Sequence, residues 1–205
     1  MNSWGGYGIN QINQLSNTHM ASVIYRESDD ETLIKASLSG DRLAFTEIVN
    51  RYSNMVARTV KGMIGDSMVA EDVGQEVFIK LFSSLKHFRG ESKLSTYIHR
   101  IAVNLTLNEI KKTKRISQPS LSDERDSLRQ MQVSGDDQIE RNETKELVEK
   151  ALQMLEPKYR SVIVMRMLHG YDTRETAEAL GLPTGTVLSR LSRAQEQMRN
   201  ILKKL

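Results

Sequence analysis

Asp72, Gln75, Glu76 and Ile79 recur at i, i+3, i+4 and i+7, which places two carboxylates, an amide and an apolar side chain on one side of a helix. Paired carboxylates suit a metal site or acid–base work. No histidine or third carboxylate is spaced to complete such a site, so no metal is expected. A solvated face is the ordinary reading of such a pattern. The alternative is docking of a partner helix, because Ile79 with Phe78 or Phe82 leaves apolar area beside the acids.

A second cluster has the opposite charge. Arg100, Asn104, Asn108 and Lys111 recur at steps of four, four and three, and Lys112, Lys114 and Arg115 extend the positive end. Lysine and arginine neutralise phosphates, and asparagine pairs with base edges or phosphate oxygens. Cations at a helix C-terminus are also favoured by the helix dipole, which accounts for part of the cluster without nucleic acid. Phe88 and Tyr97 lie close by in sequence and could offer a base a stacking surface, although single aromatics are more often core.

A third cluster closes the chain. Thr173 to Leu180 forms a short helical pattern, Gly181-Leu182-Pro183-Thr184-Gly185-Thr186 a tight turn, and Thr186 to Leu205 a long helix. That order is a helix–turn–helix, a device that lays its second helix in the DNA major groove. In the long helix Val187, Leu191, Ala194, Met198, Ile201 and Leu205 make one apolar stripe. Thr186, Ser189, Arg190 and Arg193 lie off that stripe, where hydroxyls and guanidinium forks can meet bases and phosphates. Outside these clusters little chemistry is on offer. The four histidines (His19, His87, His99 and His169) are scattered, and cysteine is absent, which removes disulfides, thiol catalysis and thiolate zinc sites. Gly5-Gly6-Tyr7-Gly8 precedes no strand or helix pattern and is no phosphate loop.

The elements that position these clusters read as helices throughout. The chain has 205 residues, 5% aromatics and three prolines, and strand-like alternation is scarce. The expected class is all-α, two helical domains joined by a flexible linker, the C-terminal one a helix–turn–helix. Residues 1–28 lack a helical period and read as a flexible N-terminal extension. The first domain spans 29–115. In it, Asp29 or Asp30 caps a helix over Thr32–Leu38. Asp41 caps a second with Phe45, Ile48, Val49, Tyr52, Met55, Val56 and Val60 inward, broken at Gly62 and Gly65. A third helix starts at Asp66 or Ser67 and runs to about Leu85, with Val73, Val77 and Leu81 inward. The fourth runs over Lys93–Lys112, with Leu94, Ile98, Ile101 and Leu105 inward. Residues 116–137, rich in serine and charge, read as an interdomain linker, and helical pattern resumes near Gln138 in a second domain over 138–205. Pro157 stands where a new helix begins. The formal net charge of +3 is mildly basic, and charged residues make up 27%. No run of about 18 apolar residues suggests a membrane span, and no basic-then-apolar leader pattern is present, so a reducing cytoplasm is the expected setting.

These motifs together resemble bacterial sigma factors of the extracytoplasmic-function group within the sigma-70 class. Asp72-Val73-Gly74-Gln75-Glu76-Val77-Phe78 is similar to the family's D-x-x-Q-E-x-F. Phe88-Arg89-Gly90-Glu91-Ser92 and Tyr97-Ile98-His99-Arg100-Ile101-Ala102-Val103-Asn104 resemble its F-R-G-[ED]-S and W-L-x-R-I-A-x-N segments. Leu155-Glu156-Pro157-Lys158-Tyr159-Arg160 and the stretch Gly181 to Leu191 resemble signatures of its last domain. The resemblance begins near Asp29, covers nearly all of the rest, and is weakest in the linker.

The resemblance implies a transcription initiation factor with no enzymatic activity and no cofactor. Its partners would be core RNA polymerase (through the β′ clamp helices and the β flap), promoter DNA and an anti-sigma factor. Asp72, Gln75, Glu76 and Ile79 would bind the β′ clamp helices. The loop with His87, Phe88 and Arg89 would hold a base flipped from the minus-10 element. Arg100, Asn104, Asn108, Lys111 and Lys112 would hold the duplex edge and the melted strand. The minus-35 element would fall to Thr184, Thr186, Ser189, Arg190 and Arg193, with Arg166 and Arg174 on the DNA backbone. The chain departs from the family pattern at Tyr97, where tryptophan is usual, at Thr176, where an aliphatic is usual, and at Gly74 in mid-helix. Leu188 stands where a basic residue is common and removes one expected DNA contact. The same helix–turn–helix could serve a stand-alone regulator dimerising on a palindromic operator, which would not need the acidic face at Asp72 to Glu76. A nucleic-acid enzyme would need a ligand set the chain lacks.

Overall fold

The computed structural model describes residues 23–116 and 136–205. Most of the 1–28 extension, and residues 117–135 of the linker read as 116–137, lie outside the described residues. Among those described, the regular structure is helical, without strands.

Four of the helices begin where a short polar side chain satisfies free backbone N–H groups of the first turn. Asp29 accepts from the Thr32 amide at 2.8 Å and opens α1 (Asp30–Leu38). Asp41 accepts from the Leu43 amide at 2.8 Å and opens α2 (Arg42–Ile64). Tyr25 reaches the same Asp41 carboxylate at 2.7 Å, and Arg51 donates to the Ser28 carbonyl at 2.9 Å. Residues 25–28, read from sequence as part of the extension, are thus tied to α2. Ser67 caps α3 (Met68–Ser84), which tightens into a 3-10 turn at Leu85–His87. The basic helix α4 (Leu94–Ile116) runs four residues past the expected end at Lys112.

The second half starts with α5 (Asp136–Met154). Pro157, whose fixed φ suits a first helical position, opens α6 (Pro157–Ile163), which widens into a π-helical segment at Val164–Leu168. Asp172 and Glu175 form a reciprocal capping box at the head of α7 (Thr173–Leu180). Gly181 stops it in the left-handed conformation, φ 63°. The long last helix α8 (Thr184–Leu202) starts two residues before the expected Thr186, with Pro183 at its N-cap. Thr184, Gly185 and Thr186 therefore form its first turn, and the turn proper is only Gly181–Pro183.

Two larger cores, and a small one of Val162, Ala177 and Val187, hold these helices. The first joins α1 to α4 through Leu33, Ile48, Val56, Val77, Leu81 and Ile98. The second is shared: Met63 of α2 and Val103 of α4 pack with Leu152, Leu155, Val164, Met165 and Ala194. Gly62 explains how the halves come so close. The sequence reading has it break α2, yet the helix passes through it and ends at Ile64, with Gly65 at φ 81°. A Cβ on Gly62 would stand 3.0 Å from Leu168 Cδ2 and 3.1 Å from Val164 Cγ2. The missing side chain lets the π-helical segment lie against α2.

Candidate nucleic-acid interface

On α3 the heptad-like pattern separates cleanly. Val73, Val77 and Leu81 are buried, and Asp72, Gln75 and Glu76 are exposed on the other side. Beside these acids stand Ile79, 70% exposed, and Phe82, 60% exposed, with the Phe82 ring edge-on to Phe45 at 4.9 Å. Large apolar side chains this open next to acids form a surface suited to a partner helix with matching apolar and basic groups. Phe78, the other aromatic considered there, is half-buried against the first core.

The loop before α4 exposes His87 and Arg89, and Arg89 lies 3.9 Å from Glu91. Phe88 is half-buried, its ring 5.1 Å from that of Tyr97. Along α4, Arg100, Asn104, Asn108, Lys111 and Lys112 are all exposed, opposite Leu94, Ile98 and Ala102 in the core. Lys112 leans on Glu109 at 3.4 Å. In α8, Thr184, Ser189 and Arg193 are exposed, Thr186 and Arg190 are half-buried, and Val187 and Ala194 anchor the inner face. Leu188 is 55% exposed among these polar groups. Arg174 is exposed on α7. Arg166 is half-buried and donates to the Tyr171 carbonyl, and its Nε is buried with no hydrogen-bond partner.

The arrangement brings residues of the two halves onto one groove of about 400 Å³. Asn104 and Lys111 of α4 line it from one side and Arg190 of α8 from the other, with Lys114 and Lys158 adding charge. One turn before Asn104, Arg100 donates to the Glu178 carbonyl in the C-terminal turn of α7 at 2.6 Å. Lys93 meets Glu175 at 3.2 Å.

Several residues of this junction escape a reading by period or motif. Arg58 of α2 donates to the Leu168 carbonyl at 2.6 Å. Arg160 is buried, and its guanidinium spans Met63 O, Gln153 O and Oε1, and Leu155 O at 2.9 Å. Two of the histidines that look scattered in sequence meet here, His99 and His169, ring centroids 4.4 Å apart. Each of these residues has a partner across the junction 70 or more residues away in the chain, so the only local signal is an unexplained polar residue on an otherwise apolar face, as with His99 next to the buried Ile98. Among the described residues no cluster of three metal-ligating side chains occurs, and no helix is long and apolar enough to cross a membrane.

Comparison with known proteins agrees with this layout. Residues 48–116 match the family model for Sigma-70 region 2 and residues 145–198 that for Sigma-70, region 4. The chain is 31% identical over 179 residues to the ECF RNA polymerase sigma factor SigW of Bacillus subtilis, covering 84% of this chain and 96% of that one. It is 32% identical over 180 residues to the ECF RNA polymerase sigma-E factor of Escherichia coli K12, covering 83% and 93%. Its fold is similar to that of RpoE from Bartonella quintana, solved with the anti-sigma factor NepR (TM-score 0.62, 23% identity, 78% of this chain and 96% of that one). With α2 to α4 in the region 2 match and α5 to α8 in the region 4 match, the chain belongs to the ECF sigma factors of the sigma-70 family, the factors that direct RNA polymerase to promoters.

Proposed function

We propose that this sigma factor divides its work between the two exposed faces of region 2 and the polar face of α8. The observation that carries the reading is the opposition of adjoining helices. The face of α3 is acidic and apolar, and that of α4 is basic and amide-bearing, within one domain packed on one core. Asp72, Gln75, Glu76 and Ile79 dock on the β′ clamp helices. Their carboxylates set orientation, and Ile79 with Phe82 contributes buried area at roughly 25 cal/mol per Å². Arg100, Asn104, Asn108, Lys111 and Lys112 hold the minus-10 DNA. His87, Phe88 and Arg89 receive a base flipped out of the stack, and strand opening follows from holding that base rather than from catalysis. In region 4, Thr184, Thr186, Ser189, Arg190 and Arg193 read the minus-35 element, and Arg174 holds the backbone. Region 4 also docks on the β flap. Arg166 is set back from this surface by its bond to the Tyr171 carbonyl, so its part is to brace the helix–turn–helix.

The two domains are read as 29–115 and 138–205, acting in the cytoplasm under an anti-sigma factor. The support for that last partner is the RpoE–NepR complex. The experiment is in vitro transcription with purified core polymerase over a promoter library, paired with a core-polymerase pull-down of Glu76→Lys. Start-site selection by the wild-type chain, and loss of polymerase binding by a folded Glu76→Lys, are the expected results. A chain that selects no start site overturns the reading. Undiminished pull-down with Glu76→Lys removes the α3 face from the docking surface.

A further inference from the structure

The junction between the two halves buries two imidazoles that the promoter-reading faces do not use. His99 of α4 is 1% exposed. Its Nδ1 lies 3.0 Å from the Ser95 carbonyl and 2.9 Å from the Tyr171 hydroxyl, and its Nε2 is buried without a hydrogen-bond partner. His169, after the π-helical segment, places Nε2 2.9 Å from Thr59 Oγ1 of α2. The Thr59 hydroxyl donates to the Met55 carbonyl at 2.8 Å, so it accepts from His169, whose Nε2 carries the proton. The two rings meet edge-on in the junction and are braced by Tyr171, which is edge-on to His99 at 4.9 Å.

We propose that His99 and His169 form a proton-sensitive latch that holds regions 2 and 4 together while both rings are neutral and releases them when the rings are protonated. A second proton on His99 would leave a buried Nε2–H with no acceptor. A charge on His169 would face Arg58, which reaches across to the Leu168 carbonyl. The other groups around the pair offer no counter-charge. Tyr52 of α2 is engaged by Asp30, and Arg166 of the π-helical segment is a cation bound to Tyr171 O. Asp172 is taken up by the capping box of α7. Burial, and then the neighbouring His169, pushes His99 down to about 3 from its ordinary 6.5. Burial, and then Arg58, pushes His169 down to about 4. Once the halves separate, each ring regains water and its ordinary affinity for a proton. The neutral pair thus favours closure fully above about pH 6.5, and that preference fades as pH falls towards 4.

The chain has no native cysteine, so Ser53→Cys and Gln195→Cys provide one dye site on each half for energy transfer in the full-length protein. Between about pH 7.5 and about pH 5.5 the open-to-closed ratio should rise about 10-fold per histidine, hence about 100-fold in all. His169→Gln, which keeps an N–H for Thr59, should cut this to about 10-fold, and adding His99→Gln should abolish it. Where the double variant does not fold, His169→Gln alone decides. A wild-type ratio that is flat across this range, or a His169→Gln response as steep as wild type, overturns the latch. The readout is domain separation, so its failure is distinct from failure of promoter recognition.

Discussion

Thr176 stands inside α7 as one of the departures from the family pattern noted in the sequence, and the structure gives its hydroxyl nothing to do. The residue is fully buried, and Oγ1 has no hydrogen-bond partner among the described residues. A buried polar group without a partner keeps its desolvation cost, typically about 1–3 kcal/mol, with no return. Thr176→Val keeps the branched shape and removes the oxygen. It should stabilise the protein by about 1 kcal/mol, which for a chain of this size raises Tm by about 2–4 °C. Thermal unfolding followed by circular dichroism measures it, and a lowered Tm would mean that the hydroxyl has a partner. Leu188 is the opposite departure. It is 55% exposed on α8, so its departure from the family pattern carries no burial cost. Such single-residue departures are visible in the sequence. Which one carries an energetic cost is decided by burial, and that is visible only in the structure.

Among the helices, two glycines of ordinary appearance have opposite meanings. Gly74 lies within α3 with open space around its missing Cβ. Gly62 lies within α2, where a Cβ would press on Leu168 and Val164, the latter fully buried. Replacing either with alanine gains about 1 kcal/mol of helix propensity. At Gly74 that gain should appear in full. At Gly62 the overpacking, typically about 1–3 kcal/mol, should outweigh it and destabilise the protein by about 1 kcal/mol net. Urea unfolding of the two variants side by side checks the pair; a stabilised Gly62→Ala would mean that Leu168 moves aside freely. Much of the element level was legible in advance. Asp41, Ser67, Pro157 and Gly181 mark boundaries by local backbone chemistry, and Thr173–Leu180 comes out as read. The inward faces of α3 and α4 follow from period alone. The misses at the junction share one cause. Gly62 reads as a breaker, and His99 and His169 as isolated, because their partners lie across the junction between the halves, where helical periodicity carries no information. The same holds for Arg160, which sits within a quoted motif, yet its hold on the Met63 carbonyl is knowable only once α2 and α6 are placed together.

At the scale of the whole molecule, the junction stands between the two promoter readers. Asn104 and Lys111 face Arg190 across about 400 Å³, room for about a dozen water molecules at roughly 30 Å³ each. Arg100 is occupied by the Glu178 carbonyl, and Lys93 by Glu175. The shared core around Met63 and Val103 supplies the attraction, since the apolar side chains meeting there would otherwise face water. On the proposed assignment of Arg100, Asn104 and Lys111 to promoter DNA, promoter use requires the halves to part, and the α3 face proposed for polymerase lies outside the junction and leaves them free to do so. Lys93→Cys with Glu178→Cys, neither residue assigned to DNA or polymerase, tests this directly. Joined by a short thiol-cleavable bismaleimide, the purified double variant should give run-off transcription with core polymerase reduced at least about tenfold, as expected when the competent form falls below about a tenth of the population. Reductive cleavage of the linker should restore it. Full activity while the halves remain cross-linked would show that closure and promoter recognition are compatible.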